Sequence, residues 1–172
     1  MITKSFRMWV HADPNIIWNV ILDSVDNPQK YMPDVEESRV LERFEGGMIK
    51  GRKIEGYSVE VFDYFEYESG IMREIKTLDA VFIERILVSK KQWEIRRELI
   101  DHLACSGSII VKSVPMSTQN TMAPVNIQFL LELETKDFRA DGVVKWGKRM
   151  TEDIMEEQRR IKEKAEELEK KV

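Results

Sequence analysis

The last part of the chain constrains the fold most, because its pattern is typical of one uninterrupted helix. From Asp137 onward there is no proline, and apolar residues recur at helical spacing. The series is Met150, Ile154, Ile161, Ala165, Leu168 and Val172. Roughly thirty residues at ~1.5 Å each extend ~50 Å, which is more than one sheet face of a small domain requires. We therefore expect the end of this helix, about residues 155–172, to protrude.

The hundred residues before this helix predict an antiparallel sheet. Between Val35 and Thr135, short segments rich in β-branched and aromatic residues alternate with Gly, Asp, Ser and Pro at hairpin-like intervals. Segment 56–70 is both aromatic and acidic, and it fits a strand or a loop folded over an opening. We predict strands near 2–11, 35–45, 47–56, 71–78, 80–89, 91–99, 105–114 and 124–135, with a turn at Gly46-Gly47.

A short helix is predicted directly after the first strand. Asp13 precedes Pro14, which is the pattern of an N-cap followed by proline at the first helical position. Apolar residues then recur at helical spacing from Ile16 to about Val25. The segment that follows contains one further turn at most, because Pro33 interrupts it.

Size and charge exclude several classes of protein. The chain has 172 residues, the usual length of one domain, and its 27 Lys and Arg against 31 Asp and Glu give a net charge of −4. Nothing in this balance favours nucleic acid as a partner. No segment approaches the ~18 consecutive apolar residues of a spanning helix, so we expect no integral membrane association. A lone cysteine, Cys105, excludes an intramolecular disulfide and favours a cytoplasmic location.

The order of these elements resembles the START-like helix-grip superfamily, also called SRPBCC, which includes polyketide cyclases and lipid-transfer domains. Three stretches carry the resemblance, which spans essentially the whole chain. They are DPNIIWNVILDSVDNPQKYMPDVEESRVLER (13–43), IERILVSKKQWEIRRELIDHLACSGSIIVKSV (83–114), and VNIQFLLELE with the terminal helix. Segment 56–70 and the length of the terminal helix depart from the family pattern.

The resemblance implies an α+β helix-grip fold over residues 1–172 as a single domain. About seven curved antiparallel strands would wrap around the long C-terminal helix, with one or two short helices after the first strand. The implied function is binding, or transport, of a small hydrophobic or amphipathic ligand between sheet and helix. An alternative is a cyclase, aromatase or dehydratase that uses the same cavity, and a third is an adaptor that binds partners through the overlong helix. The sequence shows no acid–base pair, which favours a binding protein without cofactor or metal.

Alternation along the strands and helical spacing select the candidate cavity residues. The alternative is an ordinary packed core made by the same side chains. The candidates are Trp93, Arg97, Ile109, Val111, Ile127, Phe129, Leu131, Val143, Trp146 and Met150.

Arg97 is the candidate with a specific chemical role. A guanidinium on an otherwise apolar strand face requires a polar partner, and its paired donors suit a carboxylate of the ligand. The alternative is a salt bridge to Glu84, Glu94 or Glu98. His102 is a weaker candidate, a general base at the cavity mouth. With only two histidines in the chain, no set of metal ligands is recognisable.

The apolar seam of the terminal helix raises the question of self-association. Glu and Lys flank the seam where coiled coils place interhelical ion pairs, which would suit a homodimer. A short seam of this kind is marginal alone, so a solvated tail is the alternative.

Overall fold

The computed structural model describes residues 2–55, 59–78, 80–115, 124–136 and 140–171, with side chains at all of these positions except 50–55, 59–63, 140–144 and 146. Within these residues, seven strands form one antiparallel sheet in the order β1-β7-β6-β5-β4-β3-β2. The strands are β1 Ile2–Val10, β2 Val35–Glu55, β3 Val59–Thr77, β4 Val81–Ser89, β5 Glu94–Asp101, β6 Cys105–Pro115 and β7 Val125–Thr135. The helices are α1 Pro14–Asp26, one 3₁₀ turn Pro28–Lys30, and α2 Ala140–Glu169. The predicted α+β helix-grip architecture is confirmed.

Helix α1 begins where the sequence predicts. The carboxylate of Asp13 accepts a hydrogen bond from the backbone N–H of Asn15 at 2.8 Å, and Pro14 occupies the first turn. Ile17, Val20 and Ile21 lie on the buried face of the helix. Neither helix in the described part of the chain is long and apolar enough to cross a membrane.

The predicted turn at Gly46-Gly47 is wrong, because both glycines lie inside the single strand β2. Their cross-strand neighbour is Tyr67 of β3, whose carbonyl oxygen would lie 2.5 Å from a Cβ at Gly46 and whose hydroxyl would lie 2.8 Å from one at Gly47. At Gly46 the close atoms belong to the backbone of β3, so this glycine is required by the close approach of that strand rather than by a turn, whereas the Tyr67 side chain could move away from a Cβ at Gly47.

The segment 56–70 is strand over its described part, since β3 begins at Val59. Residues 56–58 lie outside the described residues. β3 pairs with β4 only from Ser69 to Lys76, whereas its pairing with β2 continues to Val59. Both strands therefore extend past β4 as a two-stranded ribbon.

The end of α2 does not protrude as predicted. Ile161 and Ala165 are fully buried, and Ile154 is 2% exposed. Near the end of the helix, the carboxylates of Glu166 and Glu169 accept hydrogen bonds from backbone N–H groups that precede α1, at 3.2 and 3.0 Å. The prediction counted one sheet face as the only packing surface, whereas α1 provides a second. These apolar side chains are therefore not available to a second copy of the chain.

The burial of the helix end makes a prediction about stability. Ile161→Ala removes a fully buried side chain, and we expect it to lower the free energy of unfolding by about 2–4 kcal/mol. The matched control is Met155→Ala on the same helix, where the side chain is 55% exposed and the cost is within about 0.5 kcal/mol. Urea unfolding measures both, and equal small losses would show that the helix end is not packed.

Candidate functional site

A cavity of about 80 Å³ lies between the sheet and α2. Single waters require only ~10–15 Å³, so this partly open space has room for several waters or for the apolar end of a larger molecule. Its apolar walls come from strands β4 to β7 and from α2. They include Phe82, Leu99, Ile109, Leu131, Leu133 and Ile154.

Strand alternation also brings charged side chains to this cavity. Glu84 is two residues after Phe82 on β4, and Arg97 is two residues before Leu99 on β5, so both charged groups share the face that contacts α2. Glu157 completes the group from α2. The cavity therefore combines apolar walls with a buried charged end.

Four buried charges form a chain of ion pairs at this end. Nε of Arg73 donates to Glu84 at 2.9 Å, and Nη1 of Arg73 donates to the carbonyl of Val25 at 2.7 Å. Nη1 of Arg97 lies 2.7 and 2.9 Å from the two carboxylate oxygens of Glu157, and its Nη2 lies 3.9 Å from Glu84. This series of ion pairs connects the end of α1, through the sheet, to α2.

The pKa values of Glu84 and Arg97 reflect a balance between burial and ion pairing. Burial opposes the charge of Arg97, but the carboxylates of Glu157 and Glu84 outweigh it and raise the Arg97 pKa. Burial alone would raise the pKa of Glu84, but the positive charges of Arg73 and Arg97 together have the larger effect, so the pKa of Glu84 is lowered. Glu84 and Arg97 are therefore charged at neutral pH. Within the described part of the chain, Nε of Arg97 has no hydrogen-bond partner.

A pair of carboxyl groups, Asp34 and Asp153, also lines the cavity. Asp34 lies just before β2, and Asp153 lies on α2. Burial, then a hydrogen bond to Asp34 and the charge of that group, raise the pKa of Asp153 to about 7, against the opposing effect of Arg149. Two adjacent carboxyl groups cannot both ionise freely, so below about pH 7 Asp153 keeps a proton that it shares with Asp34 through their hydrogen bond.

His102 lines the cavity with its hydrogen-bonding pattern already fixed. Its Nδ1 accepts hydrogen bonds from the backbone N–H groups of Ala104, at 3.0 Å, and Cys105, at 3.1 Å. The neutral ring therefore carries its proton on Nε2. Burial and the charges of Lys136 and Arg149 lower its pKa. This arrangement opposes the general-base role suggested by the sequence, because the acceptor nitrogen is already used.

Cys105 is buried, and burial raises the pKa of its thiol to about 11, so it is protonated at neutral pH. Among the described residues, no group of three or more His, Cys, Asp and Glu side chains is arranged to hold a metal ion.

The structure brings together part of the predicted set of cavity residues. Arg97, Ile109, Leu131 and Met150 line the cavity. Arg97 also lines a second space of about 10 Å³, together with Val111 and Phe129. One of the predicted salt-bridge partners of Arg97, Glu84, lies 3.9 Å from its guanidinium. The closest partner of Arg97 is Glu157 of α2, at 2.7 Å.

The other predicted residues lie elsewhere. Ile127 is buried in the core but lines neither cavity. Trp93 lies in the turn before β5, with a φ of 53°, and contacts Trp18 edge-on with ring centroids 5.8 Å apart. The predicted strand 91–99 began too early, because β5 starts at Glu94. The side chains of Val143 and Trp146 lie outside the described residues.

Sequence reasoning named Glu84 as a possible partner of Arg97 but missed Glu157, Asp34 and Asp153. The seam of α2 runs through Ile154 and Ile161, and the apolar series skips the position between them. That position on the seam is occupied by Glu157, which is only 2% exposed. A gap in an otherwise regular apolar series was the signal for a buried charge.

No family model and no curated protein matches this sequence. Solved structures do match it. A START superfamily protein from Mycobacterium smegmatis is 16% identical, with a TM-score of 0.65 over 96% of this chain and 98% of that one. The Zhui aromatase/cyclase from a Streptomyces species is 9% identical, with a TM-score of 0.62 over 98% of this chain and 93% of that one. The di-domain ARO/CYC protein BexL is 11% identical, with a TM-score of 0.66, and the match covers 96% of this chain and 47% of that one.

The antiparallel sheet, the long helix α2 and the cavity between them define an α+β protein of the helix-grip class. With these structural matches, the fold is START-like, of the SRPBCC type.

The carboxyl pair makes a prediction about pH. Asp153 titrates near 3.8 when unfolded and near 7 when folded, so the folded state holds an extra proton between these values and loses stability as pH rises through them. Asp153→Asn removes this penalty and keeps a donor to Asp34. We expect the variant to be about 1–2 kcal/mol more stable than the original chain at pH 8, less than the full shift because the group is partly solvated.

The comparison is made by urea unfolding at several pH values between 4 and 8. Glu152→Gln, which removes an exposed carboxylate from the same helix, is the control and should change little. A difference between Asp153→Asn and the original chain that stays constant over this range would contradict a shared proton.

Proposed function

We propose that this chain binds a small hydrophobic or amphipathic molecule in the cavity between the sheet and α2. The observation that carries the proposal is the cavity itself, about 80 Å³ with apolar walls and a buried charged end. The START superfamily structure with the same fold supports it. We further propose that residues 1–172 act as one domain, and that the buried free thiol of Cys105 reflects a cytoplasmic location.

The apolar walls provide the free energy for binding. An aromatic probe that buries ~200 Å² gains about 5 kcal/mol at ~25 cal/mol per Å², and the loss of translational and rotational freedom on binding offsets part of this gain. The charged end adds little for such a probe, because its members are already paired with one another. Shape and apolar area therefore dominate the affinity for uncharged rings.

Two neighbouring residues of β5 test the location of the site. Leu99 lines the cavity, whereas Ile100 points to the opposite face of the sheet and is 49% exposed. Leu99→Trp fills the cavity, and we expect it to weaken naphthalene binding at least tenfold. Ile100→Trp adds the same bulk outside the cavity and should leave binding unchanged. Fluorescence titration with naphthalene measures both, and unchanged binding in Leu99→Trp would place the site elsewhere.

A second candidate function is catalysis of the cyclase, aromatase or dehydratase type in the same cavity. The specific observation in its favour is the carboxyl pair, since one ionised and one protonated carboxyl group can serve as base and acid. Two structures with this fold are described as aromatase/cyclases. In a dehydration, the ionised carboxylate would remove the proton beside a ketone, and the protonated group would give its proton to the departing hydroxyl.

The aldol adduct of benzaldehyde and acetone tests this candidate, because loss of water forms a conjugated enone with a new ultraviolet absorbance. A dehydratase would accelerate the reaction over buffer, and Asp153→Asn would lower the rate at least a hundredfold while retaining naphthalene binding. Glu152→Gln should retain full activity. A rate equal to that of buffer, or one that is insensitive to Asp153→Asn, would contradict the assignment.

A further inference from the structure

Among the described residues, Arg73 and Arg97 are both paired with glutamates, so neither offers a free positive charge to an acidic ligand. Arg97 is shared between Glu157, at 2.7 Å, and Glu84, at 3.9 Å. Arg73 is held by Glu84 at 2.8 Å. Two arginines therefore face two glutamates, and these four buried side chains sum to zero charge. A ligand carboxylate at Arg97 would have to displace Glu157 or share the guanidinium with it.

The remaining charged groups of the lining are two acids and one base. Asp34 and Asp153 contribute two carboxyl groups, and Arg149 contributes one positive charge. With both carboxyl groups ionised this set carries one net negative charge, and it becomes neutral when the pair holds one proton. A ligand group that donates a hydrogen bond can take the place of that proton between the carboxyl groups. A ligand carboxylate would add a further negative charge in a space that water does not screen well.

Arg97 provides a second, independent observation. Its side chain is 7% exposed and lines the cavity, yet its Nε–H has no acceptor among the described residues. Buried donors of this kind are costly unless they find a partner. A neutral ligand oxygen can accept such a bond without bringing a charge into the cavity.

From this balance we infer that the ligand has an apolar body and a polar group that donates a hydrogen bond and carries no negative charge. A hydroxyl satisfies both observations, because it can donate to the carboxyl pair and accept from Nε–H of Arg97, whereas an ammonium satisfies the carboxyl pair alone. This inference rests on the proposed binding function and specifies its ligand class. It replaces the expectation that Arg97 holds a ligand carboxylate, because the charge of that arginine is already balanced within the chain.

Four probes with the same ring system test the inference by isothermal titration calorimetry at neutral pH: naphthalene, β-naphthol, β-naphthylmethylamine and β-naphthoate. We expect the naphthol and the amine to bind at least tenfold more tightly than naphthoate. Naphthoate binding as tight as that of the naphthol would overturn the inference while leaving the binding function intact. Failure of all four probes to bind, naphthalene included, would remove the binding function, and the inference with it.

A double variant assigns the discrimination to the carboxyl pair. Asp34→Asn with Asp153→Asn removes both negative charges, and we expect the preference over naphthoate to fall below threefold while naphthalene binding is unchanged. Glu152→Gln lies on the same helix but outside the lining and should retain the full preference. Discrimination that survives in the double variant would overturn the assignment, and circular dichroism checks that each variant is folded.

Discussion

The ion-pair chain of Arg73, Glu84, Arg97 and Glu157 is the interaction on which the rest of the structure depends. All four side chains are almost completely buried, and each contacts an oppositely charged neighbour. Loss of one member would leave an unpaired charge in the interior, at a cost of about 3–5 kcal/mol. These ion pairs therefore hold α2 at a fixed position over the sheet.

This arrangement explains why the space beneath α2 is not filled by side chains. Apolar groups cannot move into the charged end without separating paired charges, and the curved sheet leaves a concavity that one helix covers incompletely. The carboxyl pair Asp34 and Asp153 lies at the same cavity but outside the chain of ion pairs. It is consequently the part of the lining whose charge responds to what occupies the cavity.

Much of the fold could be predicted from the sequence, because its signals are local. The cap at Asp13, the strand alternation and the apolar seam of α2 each follow from near neighbours in the chain. The turn at Gly46-Gly47 was wrong because the partner that requires glycine, Tyr67, is distant in sequence. The site was only half predictable for the same reason. Arg97 stands out on an apolar strand, whereas its partner Glu157 lies sixty positions away and resembles any helical glutamate.

The pairing of the two chain ends has a consequence for how the protein forms. β1 pairs with β7 from Ile2 to Val10, and the last turns of α2 accept hydrogen bonds from the backbone that follows β1. The two hydrogen bonds to α2 join residues that are 155 and 156 positions apart in the sequence. During synthesis, β1 must wait until β7 has emerged from the ribosome before it finds its partner. Folding is therefore dominated by non-local contacts and is comparatively slow, and the cavity has no wall on its helical side until α2 packs over the sheet.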